Sequence, residues 1–152
     1  MTGNDMETAE GQLTLESRLS DLVQVAPWIE RLAAQHGIPA ETQFGIDLCL
    51  EEVLSNIIRH GYSGEPNHFI DVRFENPRSG YFVFVVEDKA PLFNPVDAQE
   101  PPPISADDGS QVGGQGIRLL REFADALEYQ ATPSGNRLRI GFSAAGSATA
   151  ND

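Results

Sequence analysis

The sequence predicts an α+β fold: a two-layer sandwich whose mixed, mostly antiparallel sheet is covered on one face by helices. Three observations predict it. The apolar pattern reads, in order, as strand, helix, helix, strand, strand, long loop, helix, strand, strand. The strands of the later pairs are joined by turns too short for a crossover, so each pair runs antiparallel. The glycine run GGQG follows a loop rather than a strand, so a doubly wound dinucleotide-binding arrangement does not apply.

Residues 1–12 are polar and acidic without periodicity and read as a flexible tail. In QLTLESR, Leu13 and Leu15 alternate with polar neighbours, which predicts a first strand. Residues 19–36 carry Leu22, Val25, Ile29, Leu32 and Ala33 at helical spacing, with Asp21 as N-cap or first-turn acid. Pro27 lies inside this run, so the helix begins near it or kinks there. Gly37 and Pro39 end it. A second helix runs from Ala40 to about His60, with Ile46, Leu50, Val53, Leu54 and Ile57 in one stripe and Gly61 as its stop. HFIDVRFEN places Ile70, Val72 and Phe74 on one side of a strand, and NPRSG turns it into YFVFVVED. The latter is apolar through six residues, the pattern of a central strand with both faces covered.

Residues 89–113 hold five prolines, and four acids with no base after Pro95. A connection this long is functional or disordered. The helix after it turns Ile117, Leu120, Phe123 and Ala124 inward, and ALEYQAT and NRLRIGFSA, joined by PSGN, close the domain. One domain over 13–143 results, with 144–152 as a second flexible tail.

The chain of 152 residues has 10 basic and 23 acidic residues, a net charge of −13. No basic footprint exists to neutralise the phosphates of a nucleic acid or an anionic membrane. A basic protein surface remains a suitable partner. Cys49 stands alone, so neither an internal disulfide nor a cysteine metal cluster is available. No leader pattern opens the sequence and no apolar run approaches the roughly 18 residues of a membrane span. The expectation is a cytoplasmic protein.

Three polar stations carry the chemistry. In LCLEEVLSNIIRHGY, Glu52, Asn56 and His60 recur every four residues, which stacks them in one helical row. A carboxylate there can act as general base, and an amide oxygen is a hard ligand suited to Mg²⁺ beside phosphates. Asp88 ends a buried apolar strand, where a carboxylate needs a partner such as an adenine amino group. Gly113, Gly114 and Gly116 precede a helix, where backbone N–H groups can approach a polyphosphate. Each station has a bland alternative: a solvated helix edge, a strand-end acid capping the next turn, a tight entry turn.

Taken together, E-x-x-x-N on a helix, a strand ending in Asp with Phe93 five residues on, and G-G-x-G opening a helix resemble the histidine-kinase-like ATPase (GHKL) superfamily. EEVLSNIIRHGY, EDKAPLFNP and GGQGIRLLREFAD resemble the three boxes of its anti-sigma-factor serine/threonine kinases, over about residues 13–143. The resemblance implies ATP and Mg²⁺ as cofactors. Asn56 would hold the metal and Glu52 would be the catalytic base. Asp88 would bind the adenine amine, with His60, Ala90 and Phe93 also at the nucleotide. Gly113, Gly114 and Gly116 would fold a lid over the phosphates. Partners implied are a sigma factor or related regulator, an anti-anti-sigma-type antagonist protein as phosphorylation substrate, and a second copy of the chain in a homodimer; nucleic acid and membrane are not among them.

Two positions depart from the family pattern. Ala90 stands where the second box has Gly, and Asn94 to Val112 contains no Lys or Arg to reach a γ-phosphate. These favour an alternative of the same fold, a non-catalytic, nucleotide-dependent protein-binding switch. A purely structural interaction domain is the third reading. A histidine kinase proper is disfavoured, because no dimerising helix pair carries a phosphoacceptor histidine.

Overall fold

A computed structural model describes residues 11–91, 93 and 119–144. The Gly113, Gly114 and Gly116 station and most of the 89–113 segment lie outside these residues. The order is β1 (Gln12–Glu16), a 3-10 turn (Leu19–Gln24), α1 (Val25–His36), α2 (Ala40–Asn56), a π turn (Ile57–Gly61), β2 (Phe69–Arg78), β3 (Tyr81–Asp88), β4 (Ala126–Thr132) and β5 (Gly135–Ser143). A helical stretch at 119–123 precedes β4. The strands form one sheet in the order β1-β2-β3-β5-β4. All four neighbouring pairs are antiparallel. Among the described residues no helix is long and apolar enough to cross a membrane.

Local chemistry explains where each helix begins and ends. The run 19–36 divides into the 3-10 turn and α1, and Pro27 falls in the first turn of α1. A missing N–H is harmless there, because first-turn amides have no intrahelical acceptor. Gly37, at φ +69°, ends α1 in the left-handed conformation that glycine tolerates. The second helix is α-helical only to Asn56. Beyond it the Tyr62 N–H donates to the Ile57 carbonyl at 2.8 Å, a bond spanning five residues. β2 extends into the expected NPRSG turn through a bulge between Glu75 and Arg78. The Asn76 amide supports it by donating to the Arg78 and Tyr81 carbonyls, both at 2.8 Å.

β3 is the middle strand, and Phe82, Phe84 and Val86 point from it into the helical layer. Ile29 and Leu32 of α1 and Ile46, Leu50 and Leu54 of α2 cover them. Burial of each such side chain contributes about 1.5–3 kcal/mol. Trp28, absent from the expected apolar face, is buried edge-on to Phe84 with ring centroids 5.8 Å apart.

The opposite face of β3 is covered differently. Val83 and Val85 are buried there, yet no described helix packs over them. Their cross-strand partners are Glu75 and Gly141 for Val83, and Arg73 and Arg139 for Val85. Arg139 bridges to Glu75 at 2.8 Å and reaches Glu128 at 3.7 Å, while Glu87 draws in Arg73 and Arg137. These arginines stay about 40% exposed at their side chains beside the buried valines. The strand is buried on both faces, as expected.

Asp47 on α2 is an acid the layer handles poorly. Its Oδ1 is closed to solvent without a donor among the described residues, and burial, with Glu51 and Glu30 nearby, raises its pKa from 3.8 to about 6. A carboxylate with a raised folded-state pKa destabilises the fold above that pKa. The penalty fades as pH falls from 6 towards 3.8, where the folded state binds the extra proton. Asp47→Asn is expected to raise stability at pH 7.5 by on the order of 1 kcal/mol after solvent screening. In urea titrations the gain over the parent chain should vanish by about pH 4.

Candidate functional site

Glu52 and Asn56 are half-buried on the last turns of α2, one helical turn apart. The Glu52 carboxylate makes no hydrogen bond or ion pair with any described residue, while its backbone carbonyl accepts from the Ser55 hydroxyl at 3.3 Å. Oδ1 of Asn56 is shut off from solvent and has no donor among the described residues. Leaving such an acceptor unpaired costs roughly 1–3 kcal/mol, and nearly all buried polar groups avoid it. A hard cation or an incoming donor would remove the cost. His60 lies exposed on the π turn, whose wider winding breaks the 3.6-residue row.

Asp88 ends β3 and is 8 % exposed. Its Oδ1 accepts from the Ala90 N–H and from Nδ2 of Asn136, both at 2.9 Å. Oδ2 is left without a partner among the described residues. Burial pushes the carboxyl pKa up, and the Asn136 and Ala90 hydrogen bonds pull it back. Nδ2 of Asn136 is also shared with the Ala90 carbonyl at 3.3 Å and the Pro91 carbonyl at 3.2 Å. Its Oδ1 accepts from the Phe93 N–H at 3.0 Å and from the Tyr129 hydroxyl. One amide on β5 therefore shapes the whole turn after Asp88. The preceding Gly135 allows it: a Cβ there would lie 2.0 Å from the Asp88 carbonyl oxygen. Ala90 is buried, and Phe93 is exposed.

The π turn brings these two stations together. A Cβ on Gly61 would sit 3.0 Å from the Ala90 Cβ. The Lys89 N–H donates to the Tyr62 hydroxyl at 2.7 Å, and that hydroxyl donates to the Phe69 carbonyl at 3.4 Å. The Tyr62 ring stacks on His68 with centroids 4.4 Å apart. The residues that follow the glycine run also return to α2. Phe123 packs where a Cβ on Gly45 would come within 3.3 Å of it, and the Cys49 thiol points at the Leu119 carbonyl at 3.7 Å. Burial pushes that thiol to about 12, so it stays protonated and inert. A cleft of about 530 Å³ opens beside Tyr62, His68, Asp88, Lys89 and Asn136, but neither Glu52 nor Asn56 lines it. Among the described residues no group of three or more His, Cys, Asp or Glu could hold a metal ion. A cation at Asn56 would draw most of its ligands from phosphates and water, as Mg²⁺ does.

The family described as "Histidine kinase-like ATPase domain" matches residues 15–142. The chain belongs to this family. Among relatives of the ATPase domain, the serine/threonine-protein kinase BtrW of Bordetella bronchiseptica is 30% identical over 113 residues, covering 74% of this chain and 79% of BtrW. The histidine kinase domain from the Erythrobacter litoralis EL346 blue-light activated histidine kinase superposes with a TM-score of 0.51 at 20% identity, over 86% of this chain and 63% of that one. The mycobacterial sensor histidine kinase MprB gives 0.51 at 15% identity, over 87% and 97%. Likeness to these two structures is likeness of fold. The five-stranded antiparallel sheet under helices is the part of this chain's fold that such a superposition compares.

Two contributors to the ATPase-domain site escaped sequence reasoning. Asn136 had one signal, a polar amide just after a PSG turn, ahead of a strand that alternates Arg137 and Arg139 with apolar residues. Gly135 had none, because the backbone it must clear lies 47 positions away in sequence, at Asp88. Gly135→Ala is expected to lower stability by roughly 1–3 kcal/mol or more in urea unfolding. Gly11→Ala, whose Cβ would meet nothing within 4 Å, should leave it unchanged.

Proposed function

We propose that this chain is an ATP-binding serine/threonine protein kinase of the anti-sigma-factor type. It binds a sigma factor or related regulator and phosphorylates an antagonist protein. Family membership and the kinase relative support the class. The observation that carries the reading is the donorless, buried Oδ1 of Asn56, one residue before a turn packed against the Asp88 turn. An acceptor with nothing to accept from suits a metal ion, and a carboxylate with one free oxygen suits an amino group.

In this reading Asn56 holds Mg²⁺, which offsets charge on the phosphates when bound. Asp88 accepts through Oδ2 from the adenine amine. Ala90 walls the base, Phe93 and His60 flank the nucleotide, and Gly113, Gly114 and Gly116 fold over the phosphates. Glu52, free of ion pairs with described residues, takes the proton of the attacking serine hydroxyl. The serine oxygen bonds to the γ-phosphorus, the bond to the bridging oxygen breaks, and ADP leaves with that electron pair.

A second reading keeps the nucleotide and drops the transfer: a protein-binding switch. Residues 94–112 hold no Lys or Arg, so the chain offers no cation there to stabilise transition-state charge. Intact-mass measurement of an antagonist protein after incubation with Mg-ATP separates the two. A gain of one phosphate supports the kinase, and binding without labelling supports the switch.

Asn56→Ala is expected to weaken Mg-nucleotide binding by roughly 100-fold, read by calorimetry. Glu52→Ala should bind normally and transfer phosphate about 10²–10⁴-fold more slowly. Transfer at the parent rate by Glu52→Ala would remove Glu52 from its role.

A further inference from the structure

Tyr62 and Gly61 have no part in the roles above, yet the contacts between the two polar turns run through them. The backbone N–H of Tyr62 bonds the Ile57 carbonyl at 2.8 Å, one residue beyond Asn56. Its hydroxyl accepts the Lys89 N–H at 2.7 Å, one residue beyond Asp88. A single buried residue thus links the neighbour of one candidate ligand, through its backbone, to the neighbour of the other, through its side chain. Rotation is blocked by the His68 ring, stacked within 4° of parallel, and by the bond to the Phe69 carbonyl.

Gly61 and Ala90 close the same junction from the side. Gly61 has no positive φ, so its backbone does not require glycine. Space favours it: a Cβ at Gly61 would come 3.0 Å from the Ala90 Cβ and 3.6 Å from the Ile57 side chain, so the neighbouring turn would have to give by a few tenths of an ångström. The gap between the turns takes one methyl group, and Ala90 supplies it.

We infer that Gly61 and Ala90 are a matched pair that, with the Tyr62 strut, fixes the spacing between the Asn56 turn and the Asp88 turn. Gly61 and Tyr62 are positioning residues, and Ala90 adds this spacing to its place beside the base. The inference rests on the nucleotide reading, because it states what sets affinity at that site. A ligand that engages Asn56 through its phosphates and Asp88 through its base must satisfy both ends at once. Spacing fixed beforehand spares that ligand the ordering cost of binding. A second methyl in the gap pushes the turns apart and leaves one end unmet.

The test is a double-mutant cycle on the full chain, with Mg-ADP binding read by calorimetry and thermal melting recorded alongside. Gly61→Ala should weaken Mg-ADP by about tenfold in the parent background. In the Ala90→Gly background, where a single methyl again fills the gap, the same change should cost less than about threefold. Tyr62→Phe should weaken Mg-ADP by about tenfold through loss of the Lys89 acceptor. Equal losses from Gly61→Ala in both backgrounds, or unchanged affinity in Tyr62→Phe, would overturn the inference. If Gly61→Ala alone does not fold, recovery of the Ala90→Gly affinity by the double variant supports the pair, and failure to recover it refutes the pair. A parent chain that binds no Mg-ADP would instead defeat the nucleotide reading itself.

Discussion

A side-chain oxygen sealed from water with no hydrogen to accept is a costly arrangement, and among the described residues Asn56 has one where α2 widens into the π turn. The fold tolerates it because everything around is over-determined. Ile46, Leu50 and Leu54 pin α2 to the sheet, Tyr62 ties the turn to Lys89, and Gly61 abuts Ala90. Asp88, at the tip of the most buried strand, follows the same logic. One of its oxygens is saturated by neighbours and the other is left without a described partner. Both groups sit at the ends of apolar elements, so the core that stabilises the domain also aims them.

The charge distribution sharpens the chemistry. Of the 10 basic residues, Arg73, Arg137 and Arg139 are bound into pairs on the outer face of the sheet. Arg18 pairs with Glu16 and Asp21, and Arg78 lies over the Tyr81 ring. At least half of the positive charge is therefore engaged in contacts within the fold, in a chain whose net charge is −13. Under the proposed function, a metal ion would offset the repulsion between such a molecule and a polyphosphate, and Asn56 would offer it a neutral oxygen.

Much of this was legible in the sequence. Periodicity placed Leu32, Ile46, Leu50 and Leu54 inward, because burial of one face imposes a repeat, and the unbroken apolar run of YFVFVVED identified a central strand covered on both faces. The opening of α2 after Asn56 was not legible. Gly61 reads as a helix stop, and nothing local shows that its missing side chain clears Ala90, 29 positions on. Asn136 was hidden for the same reason: its meaning lies in hydrogen bonds to Asp88, 48 positions away. Trp28 was left off the expected face although its burial completes the contact with Phe84. Local pattern specifies elements, while the site is made where distant elements meet.

The most direct test of the central claim is a crystal structure of the chain with Mg²⁺ and a non-hydrolysable ATP analogue. It should show Oδ1 of Asn56 about 2.1 Å from the metal and the adenine amine donating to Oδ2 of Asp88. A nucleotide bound elsewhere, with the Asn56 oxygen still facing no ligand, would contradict the account.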